Sequence, residues 1–227
     1  MKFLAPFLTL FLFASFTMKD TKLVESASYS FKNSLDIKMS SYKKNGKLDD
    51  ETNATLLISD EDPLKYFGVE LDLESSGMGA AIYDYDKQKM ITLMNLNGNN
   101  QAVIIDMNKK LFQPDEDDYD ESVEFVKTGN SKDILGYSCD EYKAVVDDGT
   151  NYFWVSATAP LGIIDFFIRV QNQKSKNKIE TVMPEGSVLE LSSVSEKGEK
   201  FVMQVTKINQ NINKTIDLSN YSVIGRM

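Results

Sequence analysis

The sequence predicts an α+β fold in which a curved antiparallel sheet, shaped as a half-barrel, wraps around one apolar helix. Three observations favour this fold. Asn97-Gly98 and Asp148-Gly149 are tight-turn pairs, and each separates two β-prone runs, as in a hairpin. The hairpin around Asn97-Gly98 is apolar on both faces. The segment Pro160 to Gln173 is apolar nearly all round, which is typical of a buried helix.

The first 18 residues, MKFLAPFLTLFLFASFTM, have the composition of a signal peptide. One Lys precedes an apolar run from Phe3 to Phe16, which is shorter than the roughly 20 residues that a spanning helix needs. No A-x-A triplet marks a cleavage site, so an uncleaved anchor remains an alternative. We expect an exported protein of the bacterial envelope, periplasmic or extracellular, with one β-rich domain over residues 26–227 and no transmembrane span in its mature part.

Composition excludes several classes of function for this chain of 227 residues with a net charge of -9 and no His. The acidic balance argues against nucleic acid, because phosphate groups are bound by clustered Lys and Arg. The lack of His removes the commonest general base, the usual serine and cysteine triads and most catalytic zinc sites. The acidic run after Pro114 lacks the Gly and Glu positions of a calcium loop. We therefore expect no metal site and no cofactor.

The single cysteine, Cys139, has three interpretations in an exported chain: a small buried hydrophobe, an intermolecular partner or a reactive thiol. The first is favoured, because free Cys is among the most buried residue types. Catalysis by this thiol would lack a His, and the neighbouring Asp140 and Glu141 would raise its pKa. We therefore expect no catalytic residue.

The Asp148-Gly149 hairpin has two possible registers. With Asp148-Gly149 as a two-residue loop, which we prefer, Lys143 lies opposite Trp154 and its stem covers the indole. One face of the hairpin in this register is apolar and is formed by Val146, Ala144, Tyr142, Phe153 and Val155. The opposite face is formed by Val145, Lys143, Tyr152 and Trp154. A three-residue loop would instead move Trp154 to the side of Val146, Ala144 and Tyr142.

The Asn97-Gly98 hairpin is apolar on both sides when its strands are paired outward from the turn. One face comprises Ile91, Leu93, Ala102 and Ile104, and the other comprises Met90, Thr92, Met94, Val103 and Ile105. An antiparallel sheet usually exposes one polar face to water. Another part of the chain, a partner or a ligand should therefore cover the other face.

Pro160 to Gln173 carries the signals of a helix. Thr158 can cap it, Pro160 suits its first turn, and Asp165 and Arg169 have the favourable i,i+4 spacing. Apart from this ion pair, the segment has almost no polar side that could face water. The sequence therefore predicts a helix enclosed by the sheet.

Several short motifs resemble those of an exported bacterial family of unknown function, number 4412, which is common in Bacteroidetes. The motifs are Lys127-Thr128-Gly129, Ile134 to Cys139, Tyr142 and Trp154-Val155, and the ending Ile216 to Tyr221 is similar to the closing strand of that family. The family is similar in fold to the LolA and LolB lipoprotein carriers, in which a half-open sheet and a helix enclose a cavity for acyl chains. The resemblance implies a LolA-like fold and assigns no functional residue.

These observations predict a non-catalytic protein that binds a lipid, a lipidated protein or another apolar ligand in a hollow between the sheet and the Pro160–Gln173 helix. The candidate lining residues are Met90, Met94, Val103, Ile105, Trp154, Phe166 and Phe167. The alternative is a structural or protein-interaction module of the envelope whose core is filled by its own side chains. An exposed apolar patch on an edge strand would favour that alternative.

Overall fold

A computed structural model describes residues 22–23, 27–59, 65–71, 79–96, 98–107, 124–146, 149–163 and 184–226. The predicted signal peptide lies outside this part of the chain. The described residues form fourteen strands and one 3-10 turn at Leu218–Asn220. The strands are β1 (Lys22–Leu23), β2 (Ser28–Tyr42), β3 (Leu48–Ser59), β4 (Tyr66–Leu71), β5 (Gly79–Asp84), β6 (Lys89–Leu96), β7 (Asn99–Asp106), β8 (Val126–Ile134), β9 (Tyr137–Val146), β10 (Gly149–Ser156), β11 (Ser187–Ser195), β12 (Lys200–Asn209), β13 (Lys214–Asp217) and β14 (Ser222–Arg226).

The chain divides into two compact units. Among the described residues, the first comprises 38–51, 124–146, 149–163 and 184–206, and the second comprises 22–23, 27–37, 52–59, 65–71, 79–96, 98–107 and 207–226. In the first unit, hydrogen bonds join β12, β11, β10, β9 and β8 in that order. In the second unit the order is β1-β14-β7-β6-β5-β4-β3-β2, and β13 pairs with β2. The β14 strand runs parallel to β7, whereas the hairpin strands β6 and β7 are antiparallel.

The predicted α+β fold, with a sheet wrapped around a helix, is wrong for the residues that the structure describes, because they contain no α-helix. At the start of the predicted helix, the Ile163 N–H would donate to the Ala159 carbonyl in a helix. It donates instead to the Val188 carbonyl, at 2.8 Å, and the Ala159 carbonyl accepts from the Ser187 hydroxyl at 2.9 Å. The chain here runs beside β11, and residues 164–173 of the predicted helix lie outside the described part.

The physical reason for this error is that a short apolar run indicates burial without deciding between helix and strand. Ile163 is only 1% exposed. Gly162 permits the close approach to β11, because a Cβ at this position would lie 2.5 Å from the backbone nitrogen of Val188. The apolar character of these residues therefore reflects their packing against a strand.

The Asn97-Gly98 hairpin has the register that the sequence predicts. Met90 lies opposite Ile105, and Leu93 lies opposite Ala102. One face of this hairpin belongs to the core of the second unit, which also includes residues of β2, β3, β5, β13 and the 3-10 turn. This core comprises Tyr29, Phe31, Leu57, Ile82, Ile91, Leu93, Ala102, Ile216 and Leu218.

The hairpin between β9 and β10 has the predicted faces but not the preferred register. Val146 pairs with Gly149, so the loop is residues 147–148 and the pairing is shifted by two residues. A shift of two keeps every side chain on its predicted face, because side chains alternate with a period of two. Ala144, Phe153 and Val155 are accordingly buried, whereas Val145 is 70% exposed.

Gly149 explains the shift in register. It pairs with Ser195 of β11 as well as with Val146 of β9. A Cβ at Gly149 would overlap the carbonyl oxygen of Val194, and its φ is +152°. This glycine is therefore needed as a strand residue between two close neighbours, and the turn is left to the two residues that precede it.

Strand β8 ends the strand order of the first unit, and its pairing with β9 is interrupted between Lys127 and Ser131. Side chains of the interrupted segment bind Glu141 of β9. The Thr128 hydroxyl donates to Glu141 Oε2 at 2.6 Å, and the Asn130 amide donates to the same oxygen at 2.8 Å. The irregular segment is therefore held in one conformation by a shared acceptor.

We expect Gly149→Ala to lower the free energy of unfolding by more than about 2 kcal/mol, because the new methyl group overlaps backbone atoms of β11. Gly46→Ala is the matched control, since Gly46 also has a positive φ, +78°, but no atom within 4 Å of the added Cβ. Its expected cost is about 1 kcal/mol. Denaturant unfolding followed by Trp154 fluorescence would measure both, and equal losses would contradict the role given to Gly149.

Candidate functional site

The side of strands β3 to β7 that is opposite the core of the second unit is called the second face. Its side chains form two rows that cross the five strands in register. One row comprises Ile58, Phe67, Tyr83, Met90 and Ile105, and the other comprises Leu56, Val69, Ala81, Thr92 and Val103. Phe67, Leu56, Met90, Ala81 and Val103 are buried. The prediction that this apolar face must also be covered is therefore confirmed.

Aromatic side chains occupy the centre of the second face. The rings of Phe67 and Tyr83 are stacked, with centroids 4.6 Å apart and an interplanar angle of 7°. Phe67 also stacks on Tyr85, with centroids 5.9 Å apart. Burial raises the pKa of Tyr83 to about 12. Burial and the neighbouring Tyr83 raise the pKa of Tyr85 further. The phenols therefore lie in a poorly hydrated environment.

The second face is less covered towards the turn between β6 and β7. Met90 is 1% exposed, whereas Met94, at the other end of β6, is half-buried. Thr92 is half-buried as well, and Gly98 is exposed. Ile105 is also half-buried, but it lies opposite Met90, at the end of the hairpin away from the turn. An apolar molecule that covered Met94 would remove further apolar surface from water, at about 25 cal/mol per Å².

Gln101 is a polar residue on this face that sequence reasoning missed. It lies opposite Met94, and it shares the face of Val103 and Ile105 because side chains alternate along β7. Its Oε1 atom is buried and accepts no hydrogen bond in the described part of the protein. An unpaired buried acceptor costs about 1–3 kcal/mol. The sequence signal for this residue is that a polar Gln precedes two apolar residues on the same face of the strand, in the alternation Gln101, Val103, Ile105.

The candidate lining residues do not all belong to the second face. Met90, Met94, Val103 and Ile105 lie on it, in the second unit, and Met90 is directly opposite Ile105. Trp154 belongs to the first unit. Phe166 and Phe167 lie outside the described residues, so their place in a ligand site stays a prediction.

Trp154 lies in a shallow groove of about 290 Å³ in the first unit. Its cross-strand neighbours are Glu141 on β9 and Glu190 on β11. The ammonium group of Lys132 lies 4.2 Å from the centre of an indole ring and 2.8 Å from Glu190 Oε1. The prediction that Lys143 lies opposite Trp154 is wrong, because Lys143 pairs with Tyr152. A lysine of β8 covers the indole instead.

Cys139 is 1% exposed, which confirms the prediction of a buried cysteine. Its thiol donates to the Tyr137 carbonyl at 3.4 Å. Burial raises the pKa of the thiol, although the nearby Lys132 acts in the opposite direction. The thiolate form is therefore disfavoured, and the thiol is a weak nucleophile at neutral pH.

The buried carboxylate of Asp84 is fully engaged within the second unit. The Tyr29 hydroxyl donates to Asp84 Oδ2 at 2.7 Å, and the Lys87 ammonium lies 3.2 Å from the same oxygen. The Lys87 backbone N–H donates to Asp84 Oδ1 at 2.8 Å. Burial, with the hydrogen bond to Asp84, raises the pKa of Tyr29. This arrangement joins β2 to the end of β5 and leaves no carboxylate oxygen without a partner.

The described residues contain no group of three or more Cys, Asp or Glu side chains placed to hold a metal ion. They also contain no helix with the length and hydropathy needed to cross a membrane.

Residues 69–223 match the family model described as "Domain of unknown function (DUF4412)". The chain belongs to the DUF4412 family. The match begins within β4 and ends within β14, so it includes both hairpins. The resemblance inferred from the motifs around Lys127 to Val155 is therefore confirmed at the level of the family. A comparison with curated proteins found no match.

Three solved structures resemble this chain at low sequence identity. Two structures of PNGF-II, in space groups C2 and P21, are 13% identical in sequence, with TM-scores of 0.37 and 0.40. They cover 85% and 86% of this chain, which spans about a third of theirs (31% and 32%). A DUF1329 family protein from Desulfovibrio piger is 9% identical, with a TM-score of 0.23, over 81% of this chain and 87% of its own.

The raised pKa of Tyr83 predicts a loss of stability in alkaline solution. Above pH 10 an unfolded phenol ionises, whereas Tyr83 in the folded protein stays neutral up to about pH 12. The folded state then binds more protons, so the free energy of unfolding falls as the pH rises between these values, by roughly 2–3 kcal/mol for this group. Tyr83→Phe should therefore make stability less dependent on pH in this range.

Urea unfolding at pH about 9 and about 11.5 would measure the effect. Tyr152→Phe, at a half-buried position of the first unit, is the matched control for removing one phenol. An unchanged alkaline slope in Tyr83→Phe would show that the phenol ionises equally easily in both states.

Proposed function

We propose that this protein is an exported, non-catalytic binding protein of the cell envelope that holds a lipid or another apolar ligand against the second face. The observation that carries the proposal is a sheet with two apolar faces, one of which is only half covered near the turn between β6 and β7, at Thr92 and Met94. The proposed site differs from the hollow that the sequence predicts, because it uses the sheet and no helix.

The chemistry of the second face suits an apolar ligand of variable shape. Methionine side chains are unbranched and polarizable, so the half-buried Met94 can adapt to different chains. Met90 and the stacked ring of Phe67 are buried, so they support this face from within and do not contact a ligand. Fully burying one large apolar side chain stabilises a complex by about 1.5–3 kcal/mol. Covering Met94 would therefore contribute measurably to affinity.

The nucleophiles and carboxylates of the described residues support a non-catalytic role. The Cys139 thiol has a raised pKa, and the Asp84 carboxylate is held by Tyr29 and Lys87. The sequence contains no His that could activate either group. The contacts of these groups therefore favour a structural role over a catalytic role.

Met94→Glu should weaken binding of an apolar fluorescent probe by about tenfold or more, because binding would then bury a charge beside the ligand. Leu135→Glu is the matched control, since Leu135 is 45% exposed, lies at the turn between β8 and β9 and belongs to the first unit. Probe titration and native mass spectrometry of protein purified from the envelope would measure binding. Equal probe affinity in the wild type and in Met94→Glu, with both folded, would overturn the proposal.

A second candidate function, a protein-interaction module of the envelope, is supported by an exposed apolar patch beside an edge strand. Val126 on β8 is 41% exposed and Val145 on β9 is 70% exposed. Together with Glu124 and Lys143 they line a groove of about 260 Å³. Exposed apolar groups next to charged groups are typical of surfaces that bind other proteins.

If this second function holds, Val145→Asp should release a protein that copurifies with the wild type, because the charge would be buried in the interface. Met94→Glu should retain that protein. Native mass spectrometry of the two variants, prepared in parallel, separates the functions: retention of the partner by Val145→Asp would exclude this patch as its binding surface.

A further inference from the structure

The second face contains one polar acceptor that the protein itself leaves unsatisfied. Gln101 begins the alternation on β7, lies opposite Met94 on β6 and pairs with Ser222 on β14. Its Oε1 atom is buried and has no hydrogen-bond partner within the described part of the protein. Such an atom is expected to have a partner in the working state of the protein.

Other buried polar groups near the strands of the second unit are satisfied by their neighbours. The Asp84 carboxylate accepts from Tyr29 and from the Lys87 backbone, and the Ser34 hydroxyl accepts from the Asn209 amide at 3.1 Å. The unsatisfied Gln101 Oε1 therefore contrasts with its surroundings. The Gln101 side chain as a whole is half-buried and lies opposite the half-buried Met94, so a rotation of its amide group would present Oε1 to a molecule bound there.

We propose that Gln101 Oε1 accepts a hydrogen bond from the bound ligand, and that the ligand is an alkyl or acyl chain with a donor, a hydroxyl or an amide N–H, at its polar end. This inference rests on the proposed function. A carbonyl oxygen can only accept, so an ether, an ester or an ionised fatty acid offers it no proton. An ionised carboxylate would also place a negative charge against the negative end of the carbonyl dipole.

The geometry of the strands sets the direction of the chain. The polar end lies at Gln101 and Met94, near the exposed turn at Gly98. The apolar chain runs along β6 and β7 past the half-buried Thr92 towards Ile105, which is half-buried and lies opposite the buried Met90. The distance along the strand from residue 94 to residue 90 is roughly 13 Å.

The test compares dodecan-1-ol with its methyl ether, which has the same alkyl chain and no donor. Wild-type protein should bind the alcohol about five- to tenfold more tightly than the ether, the usual effect of one hydrogen bond in a buried site. In Gln101→Leu this preference should disappear, and binding of the ether should be retained. Displacement of an apolar fluorescent probe would give the four affinities.

Thr150→Val is the matched control, because it removes a hydroxyl from a half-buried position of the first unit and keeps the shape of the side chain. It should leave the preference for the alcohol unchanged. Gln101→Leu should also unfold at the same or a higher denaturant concentration than the wild type, because it removes an unpaired acceptor. Should Gln101→Leu fail to fold, Gln101→Met replaces it, since Met is unbranched and close to Gln in size.

The outcomes separate this inference from the proposed function. Equal affinity of the wild type for alcohol and ether would overturn the role of Gln101 and leave apolar binding on the second face intact. A preference for the alcohol that persists in Gln101→Leu would also overturn it, since another group would supply the acceptor. If wild-type protein bound neither molecule, the proposed function and this inference would both fail.

Discussion

Burial of apolar side chains on both faces of one sheet is the interaction that constrains the second unit most. An antiparallel sheet with one solvent-exposed face makes apolar contacts on the other face only. Here the face that includes Ile91 and Leu93 packs in the core with Phe31 and Leu218, and the opposite face buries Phe67 and Met90 as well. The apolar contacts of β3 to β7 therefore extend to both sides, and any ligand site must be built from side chains that also stabilise the fold.

The sequence predicted the parts of the fold that depend on alternation along a strand. Both hairpins, the two faces of β6 and β7 and the buried side of β9 and β10 follow from the period of two and from Gly-containing turns. The register of β9 and β10 could not be predicted in the same way. It depends on the close approach of Gly149 to Val194, a residue 45 positions further along the chain.

The predicted helix failed for a related reason. The segment that begins at Pro160 has the capping and apolar signals of a buried helix, but Ala159 and Ile163 find hydrogen-bond partners on β11. Tertiary contacts of this kind override local propensity and are not visible in the sequence. Part of the candidate site was predicted as well, since Met90 and Met94 lie on one face, whereas the importance of Gln101 depends on which of its atoms remain unpaired.

The irregular stretch of β8 affects whether other copies of the protein can pair with this edge of the sheet. An uninterrupted edge strand offers a template to which another chain can add by backbone hydrogen bonds. In β8 the ladder is broken between Lys127 and Ser131, and Glu141 clamps the intervening segment through Thr128 and Asn130. Bulges and lysines on an edge strand disfavour the addition of a further strand. At high protein concentration, copies of the protein should therefore remain separate and should not polymerise through β8.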